Sequence, residues 1–354
     1  MKVVIAPDSF KGSISNLLAA QAIGEGWRSL RPTDELVLLP MADGGEGTLE
    51  TIASQFPQAI RIPAHLKHEA WWLLLPDGTA YVELASICGL TLQQALDPLG
   101  ASTFDLGVVL KEIAGDLRTT KIVISVGGSA STDGGAGLLL ALGAKLNDIN
   151  GDSIDQGGAG LLNLVEIDLR EIISPPGEGV LCLTDVNNPL IGELGAAEIY
   201  SPQKGATPEQ VSILAEGLKN FLEVSGANDF PGAGAAGGTP FGLKLAWGCD
   251  LESGALAVAK MIGLEKQISD ADLVITGEGR LDAQSEYGKV VGVVSHLAKA
   301  HEKPLYYCVG SSDYELGLRG IALVDIAPSV EDAISEPYNW LRQAGFELAL
   351  LVTD

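Results

Sequence analysis

Short apolar runs that break off into clusters of glycine and acidic residues recur along this chain, and most are followed by a longer stretch of helical periodicity. A run of four or five apolar residues is too short for a helix but suits a buried strand, and strands alternating with helices mark an α/β protein with largely parallel sheets. The clearest strands are predicted at residues 3–6, 36–40, 122–126, 180–183, 273–276, 305–309 and 322–326. Apolar residues at three- and four-residue spacing predict helices at 15–29, 46–55, 135–146, 208–224, 254–261 and 288–299, several of them opened by a Ser, Thr or Asp cap. Residues 1–56 read as β-α-β-α and the pattern resumes at 255–354, so the two chain ends are expected to build one doubly wound, flavodoxin-like parallel sheet. Residues 57–254 then form a second α/β domain inserted into the first, opening on antiparallel material at 71–75 and 81–85 around the Pro76-Asp77-Gly78 turn. The length suits about two domains, and the cleft between them is the expected ligand site.

Composition narrows the function classes. Acidic residues outnumber basic ones by 46 to 22, for a net charge of -24, which excludes a basic surface gripping nucleic acid or anionic lipid. With 19% charged and 46% hydrophobic residues, the acidity reflects a scarcity of Lys and Arg in a globular chain and not an acidic tail. Cys88, Cys182, Cys249 and Cys308 lie far apart and form no CxxC pair, which predicts reduced, buried thiols. The opening Met1-Lys2-Val3-Val4-Ile5-Ala6-Pro7-Asp8 turns polar too soon for a secretory leader, and no apolar run approaches the length of a membrane span. A soluble, cytoplasmic protein is expected.

The chain carries 44 glycines, where about 25 would be ordinary, and the excess collects just after the strands. Asp8-Ser9-Phe10-Lys11-Gly12-Ser13 follows the first, Asp43-Gly44-Gly45-Glu46-Gly47-Thr48 the second, and Gly277-Glu278-Gly279-Arg280-Leu281-Asp282 the strand at 273–276. In the insert, Gly127-Gly128-Ser129 through Asp133-Gly134-Gly135 and the Asp185-Val186-Asn187-Asn188 stretch hold the same position. Parallel sheets present their carboxyl ends on one edge, where open α/β folds bind ligands and helix starts offer N–H donors to anions. Glycine lets amides approach a phosphate or carboxylate, so 127–129 and Gly44-Gly45 are candidate anion nests. Mg²⁺ takes oxygen ligands and bridges carboxylates to phosphates, and Asp43, Glu46, Asp133, Asp185, Glu278 and Asp282 form the candidate pool, with Lys11, Lys204, Arg280 and Lys289 as nearby cations.

Other chemistries lack their residues. No GxxxxGK[ST] phosphate loop occurs, and Gly232-Ala233-Gly234-Ala235-Ala236-Gly237-Gly238 matches GxGxxG without a preceding strand. That run is read as either close helix packing or a ligand-facing helix start. His65, His68, His296 and His301 fall outside the glycine clusters and form no HExxH, which argues against a zinc site or a Ser-His-Asp triad.

Ala6 through Ser13, Ala42 through Thr48, and Gly127-Gly128-Ser129 through Gly137 together resemble the bacterial glycerate kinase family, in particular the glycerate 2-kinases. Asn188-Pro189-Leu190, Pro202-Gln203-Lys204-Gly205-Ala206-Thr207, the run from Pro231 to Gly238, and Thr276-Gly277-Glu278-Gly279-Arg280 through Gly288-Lys289-Val290 continue the resemblance in order. Local departures fall at Thr132, Thr184, Asn187 and Val291. The resemblance implies two α/β domains and transfer of the ATP γ-phosphoryl group to D-glycerate with Mg²⁺, giving 2-phosphoglycerate. A kinase for another small 2-hydroxy acid and a non-catalytic sugar-acid sensor are the alternatives. Lys11 and Lys289 are expected to neutralise the transferred group, and Asp185 to orient or deprotonate the substrate hydroxyl. Substrate and phosphates fall to Asp8, Ser9, Gly44, Gly45, Gly127, Gly128, Ser129, Asp133, Asn188, Gln203, Lys204, Gly234, Gly237 and Arg280. Asp43, Glu46, Glu278 and Asp282 are left for the metal.

Overall fold

Val3, Val4 and Ile5 are fully buried on both faces of the Lys2–Ile5 strand, the burial expected of a central strand in a parallel sheet. In the computed structural model, which describes residues 1–282 and 289–352, this strand lies between Leu273–Thr276 and Glu35–Leu38, and Leu305–Val309 and Gly320–Ala322 extend the sheet beyond Leu273–Thr276. All four pairings are parallel. Numbered along the chain the strands run 2-1-3-4-5, the flavodoxin-like order, whose switch point falls between Lys2–Ile5 and Leu273–Thr276. On this sheet pack the helices Asn16–Leu30 and Pro337–Leu351. They approach closely because Gly26 lies against the Arg342 carbonyl and Gly345 against that of Ile23, leaving no room for a Cβ at either place.

The chain divides into two compact units. One comprises Met1–Asp43, Glu50–Pro57 and Ser253–Asp354, and holds this sheet. The other comprises Gly44–Leu49 and Gln58–Glu252 and holds a six-stranded sheet in the order Asp250–Glu252, Val180–Leu183, Lys121–Ser125, Thr79–Glu83, Trp71–Leu74, Ile60–Pro63. Its first four strands are parallel; Trp71–Leu74 pairs antiparallel with Thr79–Glu83 through the hairpin at Pro76-Asp77-Gly78, and Ile60–Pro63 pairs antiparallel with Trp71–Leu74. The α/β class with mainly parallel sheets is therefore as expected from the strand and helix pattern. Among the described residues no helix is long and apolar enough to cross a membrane, and the four cysteines are free and buried.

Two local expectations need correction. The largely apolar segment 322–326 is predicted as a strand, but pairing ends at Ala322 and Leu323–Ile326, with Asp325 in its first turn, is one helical turn. The helix predicted over 135–146 is Ala136–Leu142, stopped by Gly143 at φ 111, and Lys145–Asn147 is a strand paired with Glu166–Asp168. The start of the helix predicted at 288–299 lies partly outside the described residues, and its described part is Val290–Ala300.

Candidate active site

Polar residues at the carboxyl ends of both sheets form two clusters, one in each unit. In the first, the chain leaves Lys2–Ile5 through Ala6-Pro7, and the Asp8 amide donates to the Gly277 carbonyl at 2.8 Å while the Thr276 hydroxyl donates to Ala6 O at 2.9 Å. These bonds tie the loops after the two switch-point strands together, carrying Asp8 and Glu278, both buried. The Ser9 amide donates to Asp8 Oδ1 at 2.6 Å. Burial first and the Asp43 carboxylate second push the Asp8 carboxyl up to about 7; Glu278 adds to this, while the Ser9 amide and Lys11 oppose it. Lys11 Nζ lies 3.5 Å from Asp43 Oδ2 with its side chain exposed, and Asp43 holds the ammonium above its ordinary value. Asn16 fixes the approach to Asp43 by donating to the Met41 carbonyl and to Thr51 Oγ1. The cluster thus gathers Asp8, Lys11, Asp43 and Glu278.

Other expected residues of this unit stand differently. Arg280 is exposed and pairs with Asp313 at 3.1 Å. Asp282 is half-buried, Lys289 is half-buried at the cap of Val290–Ala300, and Gly288 lies outside the described residues.

The second cluster is built on the adjacent strands Thr79–Glu83 and Lys121–Ser125, in which Glu83 is paired with Ser125. After Ser125 the chain turns through Gly127 and Gly128, the latter at φ 75. A Cβ on Gly127 would lie 2.8 Å from Gly45 Cα, so the two glycine loops touch backbone to backbone. Beneath them, Lys204 is 3% exposed; its ammonium donates to Ser129 Oγ at 2.9 Å and to the Ser131 carbonyl. Burial pulls Lys204 down to about 8, with Asp133 and Cys88 acting in the opposite direction. Among the described residues, the buried hydroxyls of Ser131 and Thr132 have no hydrogen-bond partner.

Three expected ligand groups are occupied by the protein itself. Asp133 Oδ2 accepts from Thr103 N, Thr103 Oγ1 and Gly137 N at 2.8, 2.8 and 3.2 Å, and its Oδ1 from Gly135 N at 3.1 Å. It anchors the start of Ala136–Leu142. Asn188 donates to the Leu194 carbonyl and accepts from the Tyr200 hydroxyl. In the 232–238 run, Gly234 packs against the Pro189 carbonyl and Gly237, at φ 72, against that of Ser131. Asp185, Gln203 and Glu46 are exposed.

Sequence reasoning missed two residues here, Thr103 and Glu83. Glu83 is 4% exposed, and its two carboxylate oxygens accept from Gly47 N at 3.1 Å and Leu49 N at 2.9 Å. Its signal was an acidic residue closing an otherwise apolar strand, Tyr81-Val82-Glu83.

The glycerate kinase family profile matches residues 3–353. The chain belongs to the glycerate kinase family. Among its relatives within that family, a protein named glycerate 2-kinase from Escherichia coli strain K12 is 41% identical over 333 residues, spanning 90% of this chain and 87% of the relative. A Bacillus subtilis strain 168 protein named glycerate kinase is 35% identical over 371 residues, 99% of this chain and 97% of the relative. A crystal structure from Salmonella typhimurium LT2 assigned as glycerate kinase 2 superposes with a TM-score of 0.83 at 35% identity, covering 99% of this chain and 97% of that one. As a member of the glycerate kinase family this protein is an enzyme, a kinase.

Proposed function

We propose that this kinase transfers the γ-phosphoryl group of ATP to D-glycerate and releases 2-phosphoglycerate, acting in the cytoplasm. The observation that carries the reading is the Asp8, Lys11, Asp43 and Glu278 cluster at the switch point of the flavodoxin-like sheet, where open α/β folds take their ligands. Phosphoryl transfer needs little covalent help from the protein; it needs positioning and neutralisation of charge. The names and extents of the relatives support glycerate as the acceptor.

The donor set of the first cluster suits Mg²⁺. Among the described residues no three His, Cys, Asp or Glu side chains are grouped to enclose a metal alone. A kinase magnesium needs only one or two carboxylates, completing its shell with water and phosphate. Burial first, and then the Asp43 and Glu278 carboxylates, push Asp8 up against the Ser9 amide and Lys11; three carboxylates facing one lysine leave a surplus of negative charge that a divalent cation would relieve. Asp43 and Glu278 would hold the ion, which when bound supplies neutralisation of the donor's phosphates. Lys11 and Lys289 add positive charge at the transferred group. In the second unit, the amides of Gly44, Gly45, Gly127 and Gly128 and the Ser129 hydroxyl receive anionic oxygens, with the Lys204 charge directly under Ser129.

Asp185, exposed after Val180–Leu183, is assigned to orient or accept the proton of the substrate hydroxyl. Asp185→Asn should then lower kcat by about 10²-fold or more while leaving the affinity for ATP within a factor of about two. Steady-state kinetics with a coupled ADP readout check this, and near-normal turnover would remove Asp185 from the mechanism.

A further inference from the structure

We infer that Glu83 is a positioning residue, which holds the Gly44–Leu49 segment against the Gly127 loop so that the amides of both loops serve one anionic ligand. The inference rests on the proposed function only in taking that ligand to be an anion.

Three observations converge on it. Glu83 closes its strand directly in register with Ser125, the residue from which the Gly127 loop departs, so a single pair of adjacent strands launches both supports. Its buried carboxylate accepts from Gly47 N and Leu49 N, on either side of the first residue of the Thr48–Gln55 helix. A buried carboxylate with charge-assisted bonds to two amides is a rigid attachment, and it complements the positive end of the helix. It also fills the amide pocket at that helix start, so the anion-binding capacity of the segment is confined to its glycine end. There Gly45 meets Gly127 at a separation that admits no side chain.

The segment's packing agrees. Residues Gly44–Leu49 group with the second unit, although Met1–Asp43 before them and Glu50–Pro57 after them group with the first. Something in the second unit must grip this segment, and Glu83 supplies two of its hydrogen bonds, with Gly45 backing it. Thr48 closes the turn internally, donating from its hydroxyl to the Gly45 carbonyl at 2.7 Å. Gly47 adopts φ 87 with open space around it, so it is there for its backbone conformation and not for want of room.

The test uses the full chain and Glu83→Gln, whose amide keeps the shape but turns N–H₂ toward one of the two backbone donors. Hydrogen–deuterium exchange of peptides covering 44–49 and 121–129 is measured with and without MgADP or D-glycerate, alongside calorimetric affinities for both. In the variant, exchange at 44–49 should rise roughly tenfold while the Lys121–Ser125 strand is unchanged, and affinity for at least one of the two ligands should fall about tenfold. Glu83→Asp, which keeps the charge with a shorter reach, should lie between the two and decides the matter if Glu83→Gln does not fold. Faster exchange with unchanged affinities would reduce Glu83 to a helix cap and overturn the inference, as would unchanged exchange. If the parent protein binds both ligands but phosphorylates nothing, the proposed function falls and Glu83 stands. If it binds neither, both fall.

Discussion

Replacing Lys204 with Met is expected to cost about 10²–10³-fold in turnover, the usual loss on removing one preorganised charge stabiliser, while leaving the fold as stable as the parent or more so. The ammonium is 3% exposed and burial pulls it from 10.5 to about 8. That shift corresponds to about 3 kcal/mol against the folded state when the lysine is charged. Met fills similar volume without the charge. The loss of bonds to Ser129 and to the Ser131 carbonyl offsets part of the gain, at about 1–3 kcal/mol for a stranded acceptor. The pH dependence has a definite sign. Because the folded-state value is depressed, the unfolded chain binds the proton more tightly. The full penalty therefore applies below about 8 and fades as pH rises toward 10.5, where the unfolded lysine also loses its proton. Denaturant midpoints of the two proteins should differ most near pH 7 and converge toward pH 10. A stabilised, inactive variant means the buried charge is kept for function. A variant with full turnover would make Lys204 a structural residue.

Asp133→Asn is expected to have the largest effect on stability, a loss of roughly 3–5 kcal/mol. The carboxylate is fully buried and accepts from four donors. An amide must turn its own N–H₂ either toward Gly135 N or toward Thr103 N and Gly137 N, and these backbone donors, unlike the Thr103 hydroxyl, cannot reverse. A buried donor facing a donor costs far more than one missing bond, since neither group reaches water. Equilibrium urea unfolding monitored by circular dichroism reads the change directly. A midpoint equal to that of the parent would mean that Asp133 is not the anchor of Ala136–Leu142, and would return it to the ligand-binding role that its glycine neighbours suggest.

These two residues also show how far the sequence carried. Strands such as Leu273–Thr276 and Val180–Leu183 were legible because an apolar run ending in glycine or aspartate has few other uses in a short segment. The run at 322–326 misled because four apolar residues interrupted only by Asp325 fit a strand or one helical turn equally well, and only the pairing partner decides. Asp8, Asp43 and Glu278 were legible as a group by their common place after strands. Asp133 was not, because Asp-Gly-Gly looks the same whether the carboxylate meets a ligand or Thr103, thirty residues upstream. Glu83 escaped for the same reason: its partners, Gly47 and Leu49, lie more than thirty residues earlier and are bound through their backbones, which leave no trace in side-chain pattern.

Incubating the purified protein with MgATP and D-glycerate, and following ADP release by a coupled assay with phosphorus NMR of the product, tests the central claim most directly. ADP should appear in step with a single phosphate ester on C2 of glycerate. Saturable binding of glycerate with no ADP formed from D-glycerate, tartronate or other small hydroxy acids would contradict the proposed transfer, and would make the protein a binder of its ligand and not its kinase.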